Sequence, residues 1–252
     1  MELTGVTLKF AGLTALNDVS LSIPEKSVFA VIGPNGAGKT SLFNCVSGVY
    51  RPQAGDVRLG GRSLRGSAPH AIAALGVARM FQNLALFDNL TTLQNLLLGA
   101  HHGFASRAWQ DLLWTPRARS EEVRQRAAVE EVIEFLELER YREVPVGLLP
   151  YGVRKRIELG RALCMRPRLL LLDEPAAGLN REETEELATF ILDIRAELGV
   201  TQLLIEHELS LVMDLADRVA VLDFGQKIAE GTPDEVRRDP KVAEAYLGKQ
   251  AA

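Results

Sequence analysis

Surplus positive charge is the first thing this sequence lacks: 29 Lys and Arg face 33 Asp and Glu in 252 residues, a formal net charge of −4. Without a basic field there is no electrostatic footprint for nucleic acid or anionic lipid. Long apolar runs are missing as well. Stretches such as Leu169 to Leu172 fall far short of the ~20 residues that cross a bilayer. Met1-Glu2-Leu3-Thr4-Gly5 has neither the basic start nor the apolar core of a signal peptide, so the chain is expected in the cytoplasm. Cysteine is scarce. Cys45 and Cys164 both sit in apolar helical contexts and are expected to be small core residues, without a disulfide or metal role. His101-His102 has no companion cluster at ligand spacing, which argues against a metal site there. No internal repeat or low-complexity stretch is present. What remains is an ordinary globular composition, 47% apolar and 25% charged, long enough for one large domain or two small lobes sharing a core.

Against that plain background one stretch stands out: Gly33-Pro34-Asn35-Gly36-Ala37-Gly38-Lys39-Thr40, with Ser41 after it. It fits G-x-x-x-x-G-K-[ST] and has the flanks that give the pattern physical meaning. Val28-Phe29-Ala30-Val31-Ile32 reads as a buried strand ahead of it, and Ser41 to Val46 can continue as a helix. Glycines let the backbone approach a polyphosphate, while unpaired N–H groups and the helix dipole favour its charge. Lys39 would reach the terminal phosphates, and the Thr40 hydroxyl would ligate Mg²⁺.

The rest of the chain alternates strand and helix. Val6, Leu8 and Phe10, then Val19, Leu21 and Ile23, have the period of half-buried strands, with Gly12 in the turn between. On position alone Phe10 reads as a strand-end core aromatic before it reads as a base-stacking platform. Asp56 to Leu59 is a short strand, Pro69 to Leu75 a helix, and Gly76 to Phe81 a core strand with Gln82 at its end. Residues 90–148 turn helical: Thr91 caps one helix, residues 103–120 are irregular, and Ser120-Glu121-Glu122 caps another striped by Val129, Val132, Ile133 and Leu136. Arg117, Arg119, Arg124 and Arg126 lie among glutamates and read as a solvated face. A Pro150-Tyr151-Gly152 turn leads a charged helix to Leu163. The apolar strand Arg168 to Leu172 then ends in Asp173-Glu174. Buried carboxylates are costly unless paired or metal-bound, so two at a strand end mark function. Asn180 with Glu183 forms a capping box for a helix striped by Leu187, Ile191, Ile194 and Leu198, closed by Gly199. The strand Thr201 to Ile205 ends at Glu206-His207, another runs Arg218 to Leu222, and Thr232-Pro233-Asp234-Glu235 opens the last helix.

In this order the motifs resemble the nucleotide-binding subunit of ATP-binding-cassette (ABC) transporters across essentially the whole chain. The resemblance implies an α/β fold: a P-loop NTPase core with an N-terminal antiparallel β subdomain and an inserted α-helical subdomain. It places residues 1–89 and 165–252 in the core plus β subdomain and 90–164 in the helical part, all one ATPase domain. By the same resemblance Phe10 stacks adenine, and Gly33 to Ser41 hold the phosphates, Lys39 among them. Thr40, Gln82 and Asp173 serve Mg²⁺. Glu174 activates water, His207 contacts the γ-phosphate, and Gln82 senses the membrane partner. The signature turn departs from the common Leu-Ser-Gly-Gly-Gln, reading Leu149-Pro150-Tyr151-Gly152-Val153. Gly152 is kept and would meet a second subunit's nucleotide in trans. Together with Ala176-Ala177-Gly178-Leu179-Asn180, the insertion carrying Trp109 and Trp114, and Ala245-Tyr246-Leu247-Gly248, this is similar to branched-chain amino-acid importers. The implied cofactors are ATP and Mg²⁺. The implied partners are a second ATPase subunit and transmembrane permeases, which would hold the chain at the cytoplasmic face of the inner membrane. Nucleic acid is not expected. A lipid or lipopolysaccharide exporter cassette, a soluble cassette on ribosomes or DNA, and a non-hydrolysing switch are the alternatives.

Overall fold

The computed structural model describes residues 1–80, 84–100 and 116–247. Strands β1 (Glu2–Phe10) and β2 (Leu13–Ser22) form a hairpin. With β4 (Ala54–Leu59) and β5 (Arg62–Ser63) they make a four-stranded antiparallel sheet ordered β2-β1-β4-β5. The second sheet has six strands. Its parallel members are β3 (Val28–Ile32), β6 (Val77–Met80), β7 (Leu169–Asp173), β8 (Thr201–Ile205) and β9 (Arg218–Asp223). Antiparallel β10 (Gln226–Gly231) closes one edge, giving the order β10-β9-β3-β8-β7-β6.

The parallel strands are mostly apolar and almost entirely buried because both sides of that sheet are covered. Strand periodicity divides them. Phe29, Val31, Leu169, Leu171, Leu203 and Ile205 face one core with α1 (Lys39–Val46) and the antiparallel sheet. Val28, Ala30, Leu170, Leu172 and Leu204 face the other, shared with the helices. Those helices include α3 (Thr92–Ala100), α4 (Pro116–Phe135) and α5 (Tyr151–Leu163), which contact one another. In chain order the short α2 (Pro69–Ala74) precedes them; α6 (Arg181–Ala196), α7 (Leu209–Leu215), α8 (Pro233–Arg238) and α9 (Pro240–Leu247) follow. Among the described residues no helix is long and apolar enough to cross a membrane.

Several local expectations are met. Asn180 and Glu183 make a reciprocal capping box on α6, as do Thr232 and Glu235 on α8. Cys45 and Cys164 are free thiols that burial pushes up to about 11 and about 12, so both stay protonated and inert. Three expectations are corrected. The helix expected to start at Ser120 begins at Pro116, a residue suited to the first turn because it has no N–H needing a partner. Leu198 lies beyond the end of α6 and is exposed, so the buried stripe stops at Ile194. Phe10 breaks the alternation of its strand: β1 slips register between Leu8 and Lys9, and the ring is 40% exposed. His101, His102, Trp109 and Trp114 lie outside the described residues.

Candidate nucleotide site

The strand–loop–helix expected from the sequence is present, and its glycines are needed where they stand. A side chain at Gly33 would strike the Leu222 carbonyl, and Gly38, at φ 103°, caps α1 against the Ala15 carbonyl. Lys39 is almost fully buried and donates to the carbonyls of Gly33 (2.7 Å) and Pro34 (3.1 Å), holding its ammonium at the centre of the loop. The hairpin turn after β9 braces the loop from outside. Gly225 N–H donates to the Ala37 carbonyl at 3.0 Å, and its own carbonyl accepts from Asn17 N–H at 2.8 Å.

Asn35 to Ser41 line a cavity of about 420 Å³ that also takes in Phe10, Glu174, His207 and Phe224. At one end Phe10 is braced edge-on by Tyr50, ring centroids 5.1 Å apart. At the other end Glu174 Oε1 and His207 Nε2 are 2.6 Å apart. Thirty-three positions separate these two residues in sequence. The parallel register that sets Asp173 beside Ile205 brings their strand ends together, and Glu174 N–H donates to the Ile205 carbonyl at 2.9 Å. Glu174 adopts φ 49°, a left-handed backbone uncommon for a residue with a side chain and found at functional sites. Open α/β sheets bind ligands at such carboxyl ends.

The remaining candidates are placed differently. Asp173 is buried just behind the cavity, where its Oδ2 accepts from Arg79 Nη2 at 2.6 Å. Gly152 is buried on α5 away from the cavity, against the Glu183 carboxylate. Tyr151 beside it donates its hydroxyl to the Ala177 carbonyl at 3.2 Å. Gln82 lies outside the described residues.

Four participants were not legible as such. Arg79 also reaches Asn44 Oδ1 at 2.7 Å, joining β6, α1 and β7; a lone guanidinium in Val77-Ala78-Arg79-Met80 was its only signal. Glu206, 4% exposed, accepts from Ala176 N–H (3.0 Å) with one oxygen and His207 N–H (3.1 Å) with the other. It thereby ties the turn after Glu174 to the loop carrying His207. Burial raises its carboxyl above the usual range, the two backbone bonds opposing and Glu174 adding. Lys155 of α5 is fully buried; desolvation lowers its ammonium, while the carboxylates of Glu158, Glu206, Glu174 and Asp173 pull it back up. Phe224, at the cavity's lip, is the fourth.

A phosphate loop feeding a helix, with an acid and a histidine meeting at the neighbouring strand ends, defines a P-loop nucleoside triphosphatase. Residues 16–177 match the family model for the ABC transporter, and residues 226–252 match that for the branched-chain amino acid ATP-binding cassette transporter. The high-affinity branched-chain amino acid transport ATP-binding protein BraF of Pseudomonas aeruginosa is 44% identical over 99% of this chain and 98% of that protein. LivG of Escherichia coli (strain K12), described in the same words, is 40% identical over 99% and 98%. The solved ADP conformation of MJ1267, an ATP-binding cassette of an ABC transporter, superposes with a TM-score of 0.86 at 31% identity, covering 98% of each chain. The chain belongs to the ABC transporter family, as an ATP-binding cassette that hydrolyses ATP.

Proposed function

We infer that this cassette is the motor of an importer for branched-chain amino acids. The observation that carries this reading is the match of residues 226–252 to the branched-chain cassette family, added to full-length identity with two proteins of that description. At the site, Asn35 to Ser41 would hold the phosphates of ATP, Lys39 turning from its loop carbonyls toward the terminal ones. Phe10 would carry the adenine. Glu174 would orient and activate the attacking water, and His207, held at 2.6 Å from it, would place its ring between that carboxylate and the γ-phosphate.

The donors of Thr40 and Asp173, with Gln82, are the hard oxygens that suit Mg²⁺, and the metal would neutralise phosphate charge when bound. Asp173 can join that set only by sharing Oδ2 with Arg79 or using its other oxygen. A second cassette would complete the site by presenting its own Gly152 turn. Permease subunits would hold the pair at the cytoplasmic face of the inner membrane. Purification from native membranes should recover a permease, and the complex in liposomes should show ATP-dependent uptake of leucine, isoleucine or valine. Vesicles that hydrolyse ATP but move only lipid or lipopolysaccharide would reject the import reading and favour the exporter alternative.

A further inference from the structure

Phe224 stands where a loop sequence has reason to avoid it. Strands β9 and β10 pair Asp223 with Gln226, leaving Phe224 and Gly225 as a two-residue hairpin turn. Both have positive φ, 43° and 76°, the signature of a type I′ turn. Asn-Gly is the preferred pair there, because asparagine tolerates the left-handed region and a bulky aromatic does not. Burial does not offset the strain: the ring is 73% exposed. The ring lines the nucleotide cavity.

The turn's surroundings show what it packs against. Gly225 packs against the Ala15 carbonyl and Leu16, and Leu13, two residues before Ala15, pairs with Phe10. The hydrogen bonds of Gly225 to Ala37 and Asn17 fix the turn between the phosphate loop and the start of β2. The turn that carries Phe224 is thus packed against the β1–β2 hairpin that carries Phe10, and both rings line the one cavity.

We propose that Phe224 is a second aromatic contact for the nucleoside, working with Phe10 to hold the base. The inference rests on this cavity being the ATP site. A turn tolerates strain at such a position when the side chain it presents has work to do.

The test is Phe224→Asn, assayed on the full chain for binding of ATP and of inorganic tripolyphosphate. Losing one aromatic contact should weaken ATP about fivefold and leave tripolyphosphate within about twofold, since no phosphate donor changes. The same substitution should raise Tm by about 2 °C by relaxing the turn. A purely structural residue could not lower affinity while raising stability. Phe224→Trp should retain ATP affinity and report ATP, but not tripolyphosphate, by a fluorescence change absent from the wild type. Unchanged ATP affinity in Phe224→Asn, or equal weakening of both ligands, would overturn the inference. A wild-type chain binding tripolyphosphate but not ATP more tightly would overturn the ATP reading of the cavity instead, and this proposal with it.

Discussion

The phosphate loop and the signature turn are both glycine-bearing helix N-termini, yet they are finished in opposite ways. The loop is complete within the chain: Lys39 at its centre, Gly225 bracing its back, and Asn35 to Ser41 open to the cavity. The signature turn is engaged with its own chain, Gly152 packed on Glu183 and Tyr151 bonded to the Ala177 carbonyl. No side chain caps α5, whose N-cap is Pro150. A helix N-terminus beside a carboxylate is electrostatically satisfied but poorly placed to greet a phosphate of the same molecule. The chain therefore holds one phosphate loop assembled from its own residues and one turn that, on the reading proposed above, serves a neighbour's nucleotide.

The largest effect that could break this contrast lies at the loop's far end. Glu174→Gln should cut ATP turnover about a thousandfold while ATP still binds, because in the proposed mechanism the lost group serves the water and not the nucleotide. Lys39→Ala should instead weaken ATP binding about 10- to 100-fold, the loss of a charge-assisted contact to phosphate. Steady-state hydrolysis and equilibrium binding separate the two. Equal loss of binding in both variants would reject the division of roles.

The turn predicts the converse pattern. A methyl at Gly152 meets the Glu183 carboxylate, an overpacking that should cost about 1–3 kcal/mol of stability. Gly152→Ala should leave ATP binding by the isolated chain within about twofold, yet reduce ATP-driven pairing in the Glu174→Gln background more than about tenfold. Sedimentation with and without ATP reads this directly. Full pairing by the variant would show that the turn does not act in trans.

The same contrast explains what the sequence reveals. A phosphate loop is local: spacing of glycines, a lysine and a hydroxyl specifies backbone shape, so Gly33 to Ser41 are legible without knowing the fold. Capping boxes at Asn180 and Thr232 are local too. The Glu174–His207 contact is not, since it depends on how β7 and β8 align; the resemblance implied a role for each residue at the nucleotide, and only the structure shows that they touch. Arg79, Glu206 and Phe224 have no local signature. Arg79 acquires meaning only when β6 lies beside β7, and Glu206 only when Ala176 and His207 come within reach of its two oxygens. Phe10 misled for a related reason: strict alternation cannot register the slip at Leu8–Lys9 that turns its ring outward.

Where the two regions meet, charge is buried, and pH can probe it. Glu206 lies beneath the Glu174–His207 pair, and Lys155 of the signature helix feels its carboxylate. Burial raises the Glu206 carboxyl above its ordinary value, outweighing the bonds from Ala176 and His207. The folded chain consequently keeps this proton to higher pH than the unfolded chain does. Between the ordinary glutamate value of 4.5 and the raised one, the folded state binds more protons, so stability falls as pH rises through that window. Glu206→Gln cannot titrate and should lack this component. Tm measured from pH 5 to pH 8 should therefore decline more in the wild type than in the variant, a smaller effect than those above. Equal declines in the two would mean that Glu206 is held as an anion in the folded chain, with Lys155 and the two backbone bonds offsetting burial.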